Sequence, residues 1–278
     1  MNSPKEVAAN YVGVGKGKVA LPVSKMLVLS ILAGMFIACA AVGANTASCT
    51  IASASASKLI GALVFPCGLA MVLVAGSELF TGNTLLVIPL AQKEITVGGM
   101  LNNWLWVYIG NFIGSMIVVG IACFGTQWNL FGGALAVTTI KVAATKVSYS
   151  FLAATCLGIG CNFLVCIAVW ISFCAKTVVG KIVGLFMPIM LFVLSGFEHS
   201  VANMYYIPAG LVAAANPTYA AAAVEAGVNL DVLTWGSFFL NNLLPVTIGN
   251  IIGGSLLVGM FYWFAYLRGT AKPEDAAK

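Results

Sequence analysis

"LNNWLWVYIGNFIG" (Leu101–Gly114) returns 139 residues later as "LNNLLPVTIGNIIG" (Leu240–Gly253). Leu, Asn, Asn, Leu, Val, Ile, Gly, Asn, Ile and Gly coincide in order. A weaker echo lies ahead of each copy. Gly76-x-Glu78 with Asn83 recurs 120 residues on as Gly196-x-Glu198 with Asn203. The remaining apolar segments show no convincing match to one another. Two echoes in matching order divide the chain into related halves.

The surroundings of these stretches decide what the halves are. Of 278 residues, 61% are hydrophobic and 8% charged, against roughly 25% charged in a soluble domain. The apolar runs exceed the roughly 18 residues that separate a bilayer span from a buried core helix. The chain is therefore an all-α integral membrane protein. Six spans are expected, at 26–44, 58–90, 100–124, 149–173, 182–212 and 233–266. Each half then holds three spans. An odd number forces the halves into opposite senses, the inverted-repeat plan of channels and transporters. The expected division is a cytoplasmic N-terminal segment (1–25), a first repeat (26–125), an outer connecting loop (126–148), a second repeat (149–266) and a cytoplasmic tail (267–278).

Charge fixes the expected orientation. With both termini inside, the cytoplasmic segments carry Lys5, Lys16, Lys18, Lys25, Lys93, Lys176, Lys181, Arg268, Lys272 and Lys278, and the outer segments only Lys58, Lys141 and Lys146. This satisfies the positive-inside rule and predicts a multi-pass protein with both termini cytoplasmic. The net charge of +5 is thus a topology signal. The exposed segments are too short for a nucleic-acid-binding domain. The N-terminal "SPKEVAANYVG" reads as a short surface helix capped by Ser3, with Pro4 in its first turn. The C-terminal "RGTAKPEDAAK" (Arg268–Lys278) reads as a loosely ordered polar tail.

The weaker echo locates a site. "GSELFTGN" (Gly76–Asn83) and "SGFEHSVAN" (Ser195–Asn203) are polar, glycine-containing breaks at corresponding points of the second and fifth spans. Irregular backbone at membrane depth is tolerated only where protein buries it or a cavity adjoins it. Half-helix ends there present N–H groups and a positive dipole end, which suits a small anion. The chain's one histidine, His199, lies in the second break beside Glu198. An ionisable group inside a bilayer is costly and generally faces a cavity. Its ordinary pKa of ~6.5 permits proton exchange near neutrality.

These residues resemble the formate–nitrite transporter family. "VLVAGSELFTGN" (Val72–Asn83) and "GIGCNFLVCIA" (Gly158–Ala168) look like its two signatures, with Ile167 a departure from the usual Leu or Val. "SGFEHSVANM" (Ser195–Met204) looks like its histidine-bearing broken helix. The resemblance spans nearly the whole chain. It implies a homopentamer with a pore in each aquaporin-like protomer, passing formate, nitrite or hydrosulfide. Residue by residue, it implies an outer constriction at Phe65 and Phe192 and an inner one at Leu69 and Phe80. It implies a mobile loop at Leu79, Phe80 and Thr81, a central His199, and mouth lysines at Lys16 and Lys146.

The chemistry of each residue can be weighed beside that resemblance. Apolar gates make ion passage costly unless charge is compensated, and Thr81 offers a hydroxyl to His199 or to substrate. A carboxylate repels an anion, so Glu78 and Glu198 are better read as capping backbone N–H groups at the breaks. Asn162 and Asn203 suit the same hydrogen-bonded support. The small-residue faces "GNFIG" and "GNIIG" suit close helix approach. The eight cysteines read as small buried hydrophobes at helix contacts. No C-x-x-C or Cys/His cluster indicates a metal, and no activated nucleophile or cofactor motif indicates an enzyme.

The expected function is passage of a small monovalent anion past two apolar constrictions and a histidine that relays a proton. Formate, nitrite and hydrosulfide are not separated by any residue here. Hydrosulfide, the most easily protonated near neutral pH, stands beside formate. A neutral-solute pore of aquaporin type and an ion-coupled secondary transporter are the alternatives. "NPT" (Asn216–Thr218) invites the former but has no counterpart in the first half.

Overall fold

The computed structural model describes residues 1–269. Most of the polar tail lies outside the described residues, and so do Lys272 and Lys278 of the charge count. The described chain is helical throughout. A surface helix α1 (Pro4–Val19) opens it. There follow α2 (Val23–Ser48), α3 (Ala54–Gly76), α4 (Phe80–Ala91) and α5 (Val97–Phe124). Then come α6 (Ala134–Val147), α7 (Phe151–Cys174), α8 (Val178–Leu194), α9 (Ser200–Ala214), α10 (Pro217–Glu225) and α11 (Trp235–Tyr266).

The N-terminal helix starts as its sequence dictates. Ser3 Oγ accepts the Glu6 N–H while the Glu6 carboxylate accepts the Ser3 N–H, a capping box with Pro4 in the first turn. The Ser3 groups hold the exposed Glu6 carboxyl below its usual range.

By length and composition six helices qualify as membrane-crossing. The second and fifth expected spans are each two helices, α3 with α4 and α8 with α9, parted at the two predicted breaks. The fifth span, in pieces of 17 and 15 residues, is not among the long helices for that reason. A different segment, Gln127–Val147, is. The sequence reading makes 126–148 a connecting loop, and the structure corrects this. Left-handed Phe131, Gly132 and Gly133 interrupt the segment, and a regular helix follows, α6. Its polar side chains hid an apolar face of Leu135, Ala136, Ile140, Ala143 and Val147, all buried. A further bend of 104° separates α9 from α10.

The halves correspond more fully than the sequence showed. Leu29, Ser30 and Lys18 stand in the first half where Leu157, Gly158 and Lys146 stand in the second, at a constant separation of 128 residues. So α2 does match α7, and α1 matches α6. Each half is a leading helix, a span, a broken span and a third span.

Glycine faces let the spans touch backbone to backbone. A Cβ on Gly114 of α5 would strike the Ile31 carbonyl of α2, and one on Gly253 of α11 would strike the Ile159 carbonyl of α7. Gly34 meets Asn111 and Gly249 meets Thr155 in the same manner. The cysteines are less uniform than expected. Cys161 and Cys166 are buried, whereas Cys39, Cys67 and Cys156 lie exposed on the protomer's outer surface.

Candidate functional site

Both breaks are built alike. Gly76 (φ +82°) and Gly196 (φ +72°) take a left-handed conformation that a side chain would strain. The chain then runs extended to Leu79 and His199, which head the next helices with nearly the same dihedrals. The N–H of Glu78 donates to the Leu29 carbonyl, and that of Glu198 to the Leu157 carbonyl.

An asparagine from the third span of each half holds each new helix start. The Phe80 N–H donates to Asn111 Oδ1 at 2.9 Å, and Asn111 Nδ2 donates to the carbonyls of Ser30 and Glu78. In the second half the Ser200 N–H donates to Asn250 Oδ1 at 2.9 Å, and Asn250 Nδ2 donates to the carbonyls of Gly158 and Glu198. The carboxylates do something other than the expected capping. Glu78 accepts from Lys18 Nζ and Asn83 Nδ2, both at 2.7 Å; Glu198 accepts from Lys146 Nζ and Asn203 Nδ2, both at 2.8 Å. Asn103 and Asn242 close the two networks through the carbonyls of Lys18 and Lys146. With Lys146 and Glu198 side chains 15% and 3% exposed, neither charge stands alone in the low-dielectric interior.

Each network lines a cavity. The Lys18 cavity, about 460 Å³, is bounded by Tyr11, Lys18, Leu29, Leu69, Val72, Glu78 and Leu79, among others. The Lys146 cavity, about 500 Å³, is bounded by Asn45, Lys58, Phe65, Lys141, Lys146, Phe192, Glu198 and His199, among others. Leu29 near the start of α2 faces the first, and Asn45 and Ser48 at its end face the second. Leu29 and Asn45 stand about 24 Å apart along the helix at ~1.5 Å per residue, so the cavities lie toward opposite ends of the molecule.

Between them lies the asymmetric part. His199 Nδ1 accepts the Ala202 N–H at 3.0 Å, capping α9. That acceptor role puts the ring proton of the neutral form on Nε2, and Nε2 lies 2.9 Å from Thr81 Oγ1. Thr81 is fully buried and His199 3% exposed. Asn162 Nδ2 donates to the carbonyl of Thr81, to Thr84 Oγ1 and to the Asn250 carbonyl. It therefore fixes the turn that carries Thr81. The rings of Phe65 and Phe192 meet edge to face at 5.6 Å, and Phe192 lies 5.9 Å from the imidazole.

Some predicted residues stand apart. Phe80 turns onto Tyr108 and Trp104, at 4.8 and 6.0 Å. Leu69, Val72 and Leu79 line the end of the Lys18 cavity. Lys16 pairs with Glu94 at the surface, 2.8 Å away and half exposed; the lysine lining that cavity is Lys18. Sequence reading passed over Lys18 and four structural asparagines, Asn103, Asn111, Asn242 and Asn250. The signal for the asparagines was present, since all four are identities within the quoted repeat. Among the described residues no group of three His, Cys, Asp or Glu side chains could hold a metal ion.

This architecture has relatives. The chain is 41% identical over 249 residues to the formate channel FocA of Escherichia coli strain K12, covering 88% of this chain and 87% of that protein. It is 36% identical over 286 residues to a probable formate transporter of Methanothermobacter thermautotrophicus, covering 96% and 97%. It superposes on a solved pentameric formate channel with formate bound at a TM-score of 0.78, with 36% identity, over 88% of this chain and 98% of that one. A profile of the formate/nitrite transporters matches residues 5–264, and the chain belongs to that family.

Proposed function

We propose that this protein is a channel for small monovalent anions of the formate class, with a complete path through each protomer of a homopentamer. It sits in a bacterial cytoplasmic membrane with both termini cytoplasmic, which makes the Lys18 cavity the inner vestibule. The observation that carries this reading is the His199–Thr81 pair, buried between two cavities that lie toward opposite ends. Phe65 and Phe192 form the outer constriction. Leu69 forms the inner one, with Leu79 beside it and Phe80 behind in the same turn.

The mechanism follows from where the protons sit. With Nδ1 accepting from Ala202, the neutral ring donates from Nε2 to Thr81 Oγ1. The Thr81 hydroxyl then turns its own proton toward an anion in the path, polarised by the imidazole behind it. Charging the ring requires Nδ1 to release the Ala202 N–H, so the resting ring serves as a neutral donor. Proton relay by His199 is the stronger version of the same step, and it requires that release.

The lysines concentrate anions at the vestibules, and the apolar constrictions strip their water. Formate, named for both relatives, is the first substrate to test, with nitrite and hydrosulfide in parallel. Flux of each anion into proteoliposomes is measured at two pH values for the parent and for His199→Asn. Selective anion flux that falls in the variant supports the reading. Glycerol swelling without anion flux overturns it in favour of a neutral-solute pore.

A further inference from the structure

The two vestibules share a plan but differ in charge. In the Lys18 cavity Lys18 and Glu78 face each other and cancel. The Lys146 cavity is lined by Lys58, Lys141 and Lys146 against the single carboxylate of Glu198. Lys146 is spent on Glu198 at 2.8 Å. Lys58 and Lys141 have no ion-pair partner among the described residues, and a formal surplus of two positive charges is left. Lys58 lies within electrostatic reach of both Lys146 and Glu198. The three lysines that the sequence places on this side of the membrane therefore all line one cavity.

A second observation points to a ligand. Asn45 is 7% exposed and belongs to the wall of this cavity. Its amide nitrogen is buried with no hydrogen-bond partner, an arrangement that is costly unless an acceptor fills it. A turn of the Asn45 amide at that wall would present it to an oxyanion in the cavity. The volume, about 500 Å³, far exceeds what a one-carbon anion needs. The edge-to-face rings of Phe65 and Phe192 form part of its wall, with His199 beside them.

We propose that the Lys146 cavity is a binding site for divalent oxyanions, held by Lys58, Lys141 and the Asn45 amide. A bound divalent anion cannot pass the phenylalanine constriction and competes with the permeating anion for the vestibule. The proposal rests on the channel reading above and adds to it a ligand class and a competitive block from one face.

The test uses the full chain in proteoliposomes, with formate flux measured at low ionic strength. Inorganic phosphate on both sides is compared with chloride at matched ionic strength. The expected result is at least a threefold rise in the half-saturating formate concentration with phosphate, at unchanged maximal rate. That rise disappears at about 0.5 M salt, where screening lengths fall to a few ångström. Lys58→Gln/Lys141→Gln has a higher half-saturating formate concentration of its own in phosphate-free buffer, because the vestibule has lost two charges, and shows no further rise when phosphate is added. Asn45→Ala weakens the effect. The proposal is overturned if phosphate acts no more strongly than chloride, or if the double lysine variant is blocked as fully as the parent. Absence of formate flux in the phosphate-free parent would instead bring down the channel reading itself.

Discussion

His199 occupies in the second half the place that Leu79 occupies in the first. Both head the helix that follows the break, with φ/ψ of −109°/114° and −110°/124°. Their carbonyls accept from Asn203 and Asn83 at 2.9 and 3.0 Å. Two positions on, Val201 answers Thr81. The hydrogen-bonded scaffold is matched between the halves, and the chemistry is not. His199 faces the Lys146 cavity while Leu79 faces the Lys18 cavity.

This equivalence predicts that His199→Leu folds. The variant places in the second half the residue the first half already tolerates, and loses one helix cap, worth about 1 kcal/mol. Its assembly on size exclusion should match the parent, while anion flux falls at least tenfold. Thr81→Val, which copies Val201, should show the same split between intact assembly and reduced flux. Misassembly of both variants would mean that the pair serves packing.

The asparagine pins predict matched losses. Asn111→Leu and Asn250→Leu each remove three hydrogen bonds and orphan a buried N–H at Phe80 or Ser200. An unsatisfied buried donor costs about 1–3 kcal/mol. Both variants should unfold several degrees below the parent in detergent. Asn250→Leu should also disturb flux more than its fold defect explains, because the Ser200 N–H adjoins His199.

The buried ion pairs predict a non-additive cycle. Lys146→Met leaves the Glu198 carboxylate uncompensated, a loss of about 3–5 kcal/mol. Adding Glu198→Gln removes that charge and keeps an amide oxygen for Asn203. The double variant should therefore recover much of the thermal stability lost by the single. Equal stability of the two would show that solvent from the cavity already screens Glu198.

The repeat was legible where both partners are constrained alike. "LNN" and "IGN" recur because Asn103 and Asn242 close the two lysine networks, and Asn111 and Asn250 hold the two helix starts. The correspondence of α2 with α7 was illegible because only their contact faces are constrained. Gly34 and Asn162 are equivalent positions with opposite tasks, one admitting the Asn111 backbone and the other donating to the carbonyls of Thr81 and Asn250. Lys18 was passed over for Lys16 because two residues on a helix differ by more than half a turn in facing, and no charge pattern marks which faces the cavity. The helix inside 126–148 was hidden because its buried face is short and its other face polar.

Helix approach gives the sharpest steric prediction. Gly249 of α11 faces the Thr155 carbonyl and Gly114 of α5 faces the Ile31 carbonyl, so a methyl at either would have to displace rigid backbone. Gly249→Ala and Gly114→Ala should force α7 from α11, or α2 from α5, and sharply reduce the yield of assembled protein. Gly120, on the same α5, has nothing within 4 Å of an added Cβ. Gly120→Ala should assemble normally and gain up to about 1 kcal/mol from the lower chain entropy of alanine. The contrast is read from assembled yield and melting temperature of the three variants side by side. If Gly114→Ala assembles as well as Gly120→Ala, close backbone contact is not what joins these spans.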